Sequence, residues 1–191
     1  MKERNEFEAA ERLLNSIGDN PSFDISEFIE RISVAEDWGK LIVAHIYLDH
    51  IITEVLNTHL DHPTAYFNGH RSFAEKLSLC QAMGYFRDKF GDVLKAINNS
   101  RNKFAHKLVF HVSDEEKRNL FRTLTTERPT SEVTRSDGFE EFLFTIVIFA
   151  EISRSAEERH AELSKEQEAV SKKILELLIA NKDMLGDKFL P

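Results

Sequence analysis

The chain has 191 residues, with 25 Lys+Arg against 33 Asp+Glu and a formal net charge of −8. An acidic total of this size argues against a general binder of nucleic acid or membrane surfaces, which are themselves negative. With 41% hydrophobic and 30% charged residues, 7 Gly and 4 Pro, the chain fits a soluble, helix-rich domain long enough to bury a core; no apolar run approaches the roughly 20 residues needed to span a membrane.

The start, MKERNEFEAAERLL, is charged and amphipathic without a signal-peptide core, which predicts a cytoplasmic protein. Helical spacing at Phe7, Ala10, Leu13 and Leu14 predicts a first helix over 6–17, stopped by Gly18-Asp-Asn-Pro21. Asp24-Ile-Ser26 offers cap chemistry to a second helix carrying Phe28, Ile29 and Ile32. The stretch 34–60 is apolar on two faces, Leu41, Ala44, Leu48, Ile51, Ile52 and Val55 on one, Ile42, Ile46, Leu56 and Leu60 on the other. It is expected as a central helix with neighbours on both sides. Asp49 and Thr53 interrupt its second face.

Asp61-His-Pro-Thr breaks the pattern, and the connection to Arg71 reads as irregular with a turn at Asn68-Gly69. Ser72 caps a short helix to about Met83, ended by Gly84. The single cysteine, Cys80, sits among Leu77, Leu79 and Met83 and reads as a buried, inert thiol. A longer helix covers 86–106, and a small one over 115–124 begins at Ser113 or Asp114. TTERPTSEVTRSDG, 125–138, is expected as a flexible loop.

From Phe139 the pattern is helical again, apolar at Phe142, Leu143, Ile146, Val147 and Ala150. Past Ile152 charge dominates, and Phe149, Ala156, Leu163, Val170, Leu177 and Met184 fall on a heptad whose companion positions include Arg159, Glu166 and Lys173. That pattern suits a helix docking by one narrow seam better than a regular coiled coil. The expected architecture is all-α: a helical bundle over 1–152 and a charged C-terminal helical extension over 153–191.

Chemistry concentrates in Asn98 to His111, NNSRNKFAHKLVFH. At about 100° per residue, the apolar stripe of this helix is Phe90, Val93, Leu94, Ile97, Phe104 and Leu108, and Arg101 projects into its middle. Burying an unpaired charge costs several kcal/mol, so Arg101 must be paired, point into a wet cleft, or face another subunit. Between Val93 and Ser113 there is no acidic residue, while Lys95, Arg101, Lys103, Lys107, His106 and His111 all lie there. This basic island in an acidic protein would suit a phosphate-bearing ligand, with Lys95, Lys103 and Lys107 as binding cations.

Each of these residues also has a structural reading. Arg101 fits a buried ion pair with Asp49 as partner, His106 fits a helix C-cap suited to the dipole, and Asn102 fits a hydrogen bond to a loop. His45 with Asp49, and His59 with His62, have spacings that would allow a metal on paper. No Cys cluster or H-E-x-x-H supports it, and neither metal nor cofactor is expected.

With these residues placed on helices, 33–110 resembles the HEPN superfamily of small helical bundles, through the R-x4-H pattern of Arg101, Asn102 and His106. The flanking RSFAEKLSLCQAMGYF and KAINNSRNKFAH are similar to a branch labelled mannitol operon repressor-like. The resemblance implies a HEPN-type bundle and metal-independent RNA cleavage, toxin or defence related, at the cleft of a homodimer, with an antitoxin or other protein partner. Arg101 would then stabilise phosphate charge, His106 would shuttle protons and Asn102 would orient them. On an ideal helix positions 101 and 106 lie about 140° apart, so the reach of arginine or a helix ending near Phe104 must close the gap. The same resemblance also admits a non-catalytic regulator or interaction module in which the motif is structural.

Overall fold

A computed structural model describes residues 20–86, 88–107, 111–124 and 135–156, with the backbone alone at 88 and 105–107. Asp24, in an extended conformation, accepts a hydrogen bond from the Glu27 amide at 3.0 Å and so opens α1 (Ile25–Ser33). A cap of this kind contributes about 1 kcal/mol. Phe28 and Ile32 are its buried residues. The next helix, α2 (Asp37–His59), starts later than the apolar pattern suggests, because Val34 serves as the C-cap of α1 and is 80% exposed.

Leu41, Ala44, Leu48, Ile51, Ile52, Val55 and Leu56 are all buried along α2. The second apolar face is covered unevenly: Leu56 is buried and Leu60 packs against the core, but Ile46 is 58% exposed. Where an irregular connection was expected there is a one-turn helix, α3 (Pro63–Tyr66), with Pro63 at its first position, where a missing N–H costs nothing. Gly69 follows at φ 125, a conformation that a side chain would strain.

Helix α4 (Phe73–Ala82) begins with a reciprocal cap: Ser72 Oγ accepts from the Glu75 amide at 3.3 Å, and Glu75 Oε2 accepts from the Ser72 amide at 2.8 Å. The turn into α5 (Asp88–Lys107) passes through Phe86 at φ 47, a left-handed conformation held by a buried ring. Ser113 and Glu116 repeat the reciprocal cap at the start of α6 (Asp114–Leu124). The last described element, α7, covers 136–156.

Around α2 are packed α1, α4 and α5, and α6 lies on α5. Aromatic pairs join α7 to three of these: Phe28 with Phe144 (ring centroids 5.9 Å), Phe90 with Phe149 (4.8 Å) and Phe121 with Phe142 (5.9 Å). Phe139, Phe142, Leu143, Ile146, Val147 and Ala150 are all buried, so the apolar periodicity after 139 gave the correct inner face. Charges inside the bundle are paired. Lys117 Nζ lies 2.5 Å from Asp37, Lys40 Nζ 2.8 Å from Glu140, and Arg154 donates to both oxygens of Glu151 at 2.6 and 3.0 Å.

Among the described residues every regular element is a helix, and the architecture is an all-α bundle. No described helix is long and apolar enough to cross a membrane. The chain divides into two compact units, Met1–Ser155 and Ala156–Pro191. The first helix expected over 6–17, most of the loop expected over 125–138 and nearly all of the C-terminal extension lie outside the described residues.

Candidate functional site

Asn98, Arg101 and Asn102 stand at i, i+3 and i+4 on α5, which places them on one side of the helix. Asn98 is 9% exposed, and Arg101 and Asn102 are half-buried. Arg101 Nη1 donates to Asn102 Oδ1 at 3.2 Å. Among the described residues Arg101 has no carboxylate partner. Among the described residues, then, the guanidinium is met by an amide oxygen and not by a carboxylate, and it carries four further N–H donors.

Asp49 is paired elsewhere. Its Oδ1 lies 2.7 Å from Lys76 Nζ on α4, and Lys76 also donates to Thr53 Oγ1 at 2.9 Å. The polar interruption on the second face of α2 is therefore a seat for a lysine that is 6% exposed, not for Arg101. Asp49, Lys76 and Arg101 all act electrostatically on one residue, His45.

His45 sits one turn before Asp49 on α2, and its Nε2 lies 3.0 Å from Asn98 Oδ1. An amide oxygen can only accept, so Nε2 carries the proton and donates. The Phe73 ring packs against the imidazole, with centroids 4.6 Å apart and planes at 31°. Burial holds the imidazole below its ordinary titration range, the Asn98 hydrogen bond opposes this, and the Arg101 cation adds to the lowering. His45 is thus a neutral imidazole on the arginine side of α5.

The other expected site residues are spread around α5. Lys103 pairs with Glu116 across a cleft of about 300 Å³ between α5 and α6. Positions 101 and 103 lie about 160° apart on an ideal helix, so that cleft is on another side from Arg101. Lys95 is half-exposed, with Asp92 at 3.8 Å. For His106 and Lys107 the backbone is helical, and their side chains lie outside the described residues. Because α5 runs unbroken to Lys107, no helix end near Phe104 brings position 106 round to position 101.

Neither His45 nor Asn98 stood out in the sequence as a partner of Arg101. The available signal was the i, i+3 spacing of Asn98 and Arg101, together with the His45/Asp49 pair at i, i+4; only the register of α2 against α5 joins them. Among the described residues no group of three or more His, Cys, Asp or Glu is placed to hold a metal ion. No protein-family model matches this chain, and no curated protein or solved structure matches it either.

Proposed function

We propose that this chain is a HEPN-like, metal-independent endoribonuclease, toxin or defence related, in which Arg101 receives the scissile phosphate. The observation that carries this reading is Arg101 itself, a half-buried cation whose described hydrogen-bond partner is an amide and not a carboxylate. A half-buried cation with no carboxylate partner among the described residues is costly for folding, and an anionic ligand offsets that cost. Asn102 positions the guanidinium. His106 acts as the proton carrier of the motif, and the homodimer places a second copy of α5 across the cleft, which supplies what the unbroken helix denies within one protomer.

The test uses purified protein, single-stranded RNA and EDTA. Cleavage is expected to persist under chelation, to disappear in His106→Ala with the fold intact, and to disappear in Arg101→Ala; light scattering should report a dimer. Cleavage lost on chelation, or kept undiminished in His106→Ala, contradicts the assignment.

A specific observation favours a second reading. Lys103 is paired with Glu116 and Lys95 lies near Asp92, so part of the basic island is neutralised by carboxylates from outside or just before it. This suits a non-catalytic regulatory or protein-interaction module, resembling mannitol operon repressor-like proteins, that binds a protein partner. Absence of cleavage over varied RNAs, with the dimer intact, would select it.

A further inference from the structure

Arg101 has a titratable neighbour that the R-x4-H pattern does not contain. Two observations single out His45 as that neighbour. Its Nε2–H is spent on Asn98 Oδ1 at 3.0 Å, one helical turn before Asn102, so the ring is anchored on the same side of α5 as the guanidinium. Position 106, by contrast, lies about 140° around the unbroken helix from position 101.

We propose that His45 is a ligand-binding residue of the Arg101 site, and that it takes up a proton when an RNA phosphodiester binds there. The inference rests on the reading of Arg101 as a phosphate receptor and adds to it a second donor from α2. With Nε2 already protonated, the remaining basic atom is Nδ1. A solvent proton added at Nδ1 creates an N–H that a phosphate oxygen can accept, while the Nε2–H bond to Asn98 is retained.

Burial of the ring is the larger obstacle to protonation of His45, and the Arg101 cation adds to it. Of the charges facing the ring, Asp49 comes from α2 itself, Lys76 from α4, and Arg101 from α5. Asp49 and Lys76 neutralise each other at 2.7 Å, which leaves Arg101 as the net field at the imidazole. That field repels a proton from a ring already partly desolvated and packed on Phe73. An anion on Arg101 cancels the field, and protonation then strengthens the hold on the anion. Binding and protonation are reciprocal, as linkage requires.

The proton-linked part of the affinity is present at low pH and is lost as pH rises through the bound-state titration of His45. A phosphodiester is the right probe, because its own charge does not change across this range.

The experiment measures binding of a short 2′-O-methyl RNA, which lacks the attacking hydroxyl, by fluorescence anisotropy at constant ionic strength. Wild type, His45→Gln and His70→Gln are compared at about pH 5.5 and about pH 7.5, on either side of an ordinary histidine. Wild type and His70→Gln, a change at an exposed histidine outside the site, are expected to bind at least about fivefold tighter at the lower pH, the low end of ordinary coupling. His45→Gln, whose amide can still donate to Asn98, should bind with no such gain. Should that variant fail to fold, the imidazole resonances of the wild type serve instead, and RNA must shift His45 toward its protonated form.

Binding without pH dependence in the wild type, or a gain that survives in His45→Gln, overturns the inference and leaves Arg101 as the receptor. A pH-linked gain lost in His45→Gln, without cleavage of ordinary RNA under EDTA, supports the inference and overturns the nuclease reading alone. Absence of binding at both pH values overturns both.

Discussion

Asp49→Asn tests the pairing that separates Asp49 from Arg101. The substitution keeps the shape of the side chain and removes the carboxylate that lies 2.7 Å from Lys76 Nζ. Lys76 has a side chain only 8% exposed, so its ammonium keeps Thr53 Oγ1 and a weaker amide oxygen in place of an ion pair. Breaking a fully buried pair costs about 3–5 kcal/mol, and a surface pair contributes at most about 1 kcal/mol. Asp49 is 38% exposed, which puts this pair between the limits, at about 2 kcal/mol. In urea, monitored by helical circular dichroism, this corresponds to a midpoint lower by about 1 M. Lys76→Met in the Asp49→Asn background removes the stranded cation, and the double variant should recover about 1 kcal/mol relative to additivity. A single-variant loss below about 0.5 kcal/mol, or strict additivity in the cycle, would refute the argument that a buried lysine depends on Asp49.

Two further outcomes follow from buried titratable groups. Asp37 is partly desolvated, but hydrogen bonds from Lys117 and Ser136 outweigh this and hold its carboxyl below the ordinary range. Its contribution is complete above the unfolded-state titration and is lost as pH falls through the folded-state one. The stability gap between wild type and Asp37→Asn should therefore be constant from about pH 7 to about pH 5 and close below about pH 4, read by thermal unfolding; a gap that widens on acidification contradicts the sign. Burial pushes the Cys80 thiol up to about 12, so a thiol reagent at mildly alkaline pH should label it no faster than the protein unfolds. Rapid labelling of folded protein would contradict its burial.

Local chemistry was legible in the sequence wherever a few neighbouring residues decide the structure. Asp24, Ser72 and Ser113 cap helices because a side-chain oxygen need reach only the amide three residues on. The inner face of 139–150 was equally legible, since period alone separates Val147 from Phe149. Cover on the second face of α2 was not, because exposure of Ile46 depends on which helices arrive beside it. The site shows the same division. Arg101 was visible as a charge in an apolar stripe, but Asp49 was assigned as its partner because both interrupt an apolar face, and Asp49 pairs with Lys76 instead. The contacts of Asp49 with Lys76, and of His45 with Asn98, cross between helices. They depend on the register of α2 against α4 and α5, which no local pattern encodes.

On the proposed reading, Arg101 is held for an anionic ligand and not for the fold. The most direct test of that reading is the affinity of Arg101→Gln for short single-stranded RNA at near-neutral pH, measured beside its urea midpoint. Arg101→Gln should lose at least about tenfold in affinity, one charge-assisted hydrogen bond or more, with a urea midpoint no lower than that of the wild type, because the substitution removes a cation that is costly for folding. Unchanged affinity, or a stability loss of the about 3–5 kcal/mol expected of a broken buried ion pair, would contradict that reading.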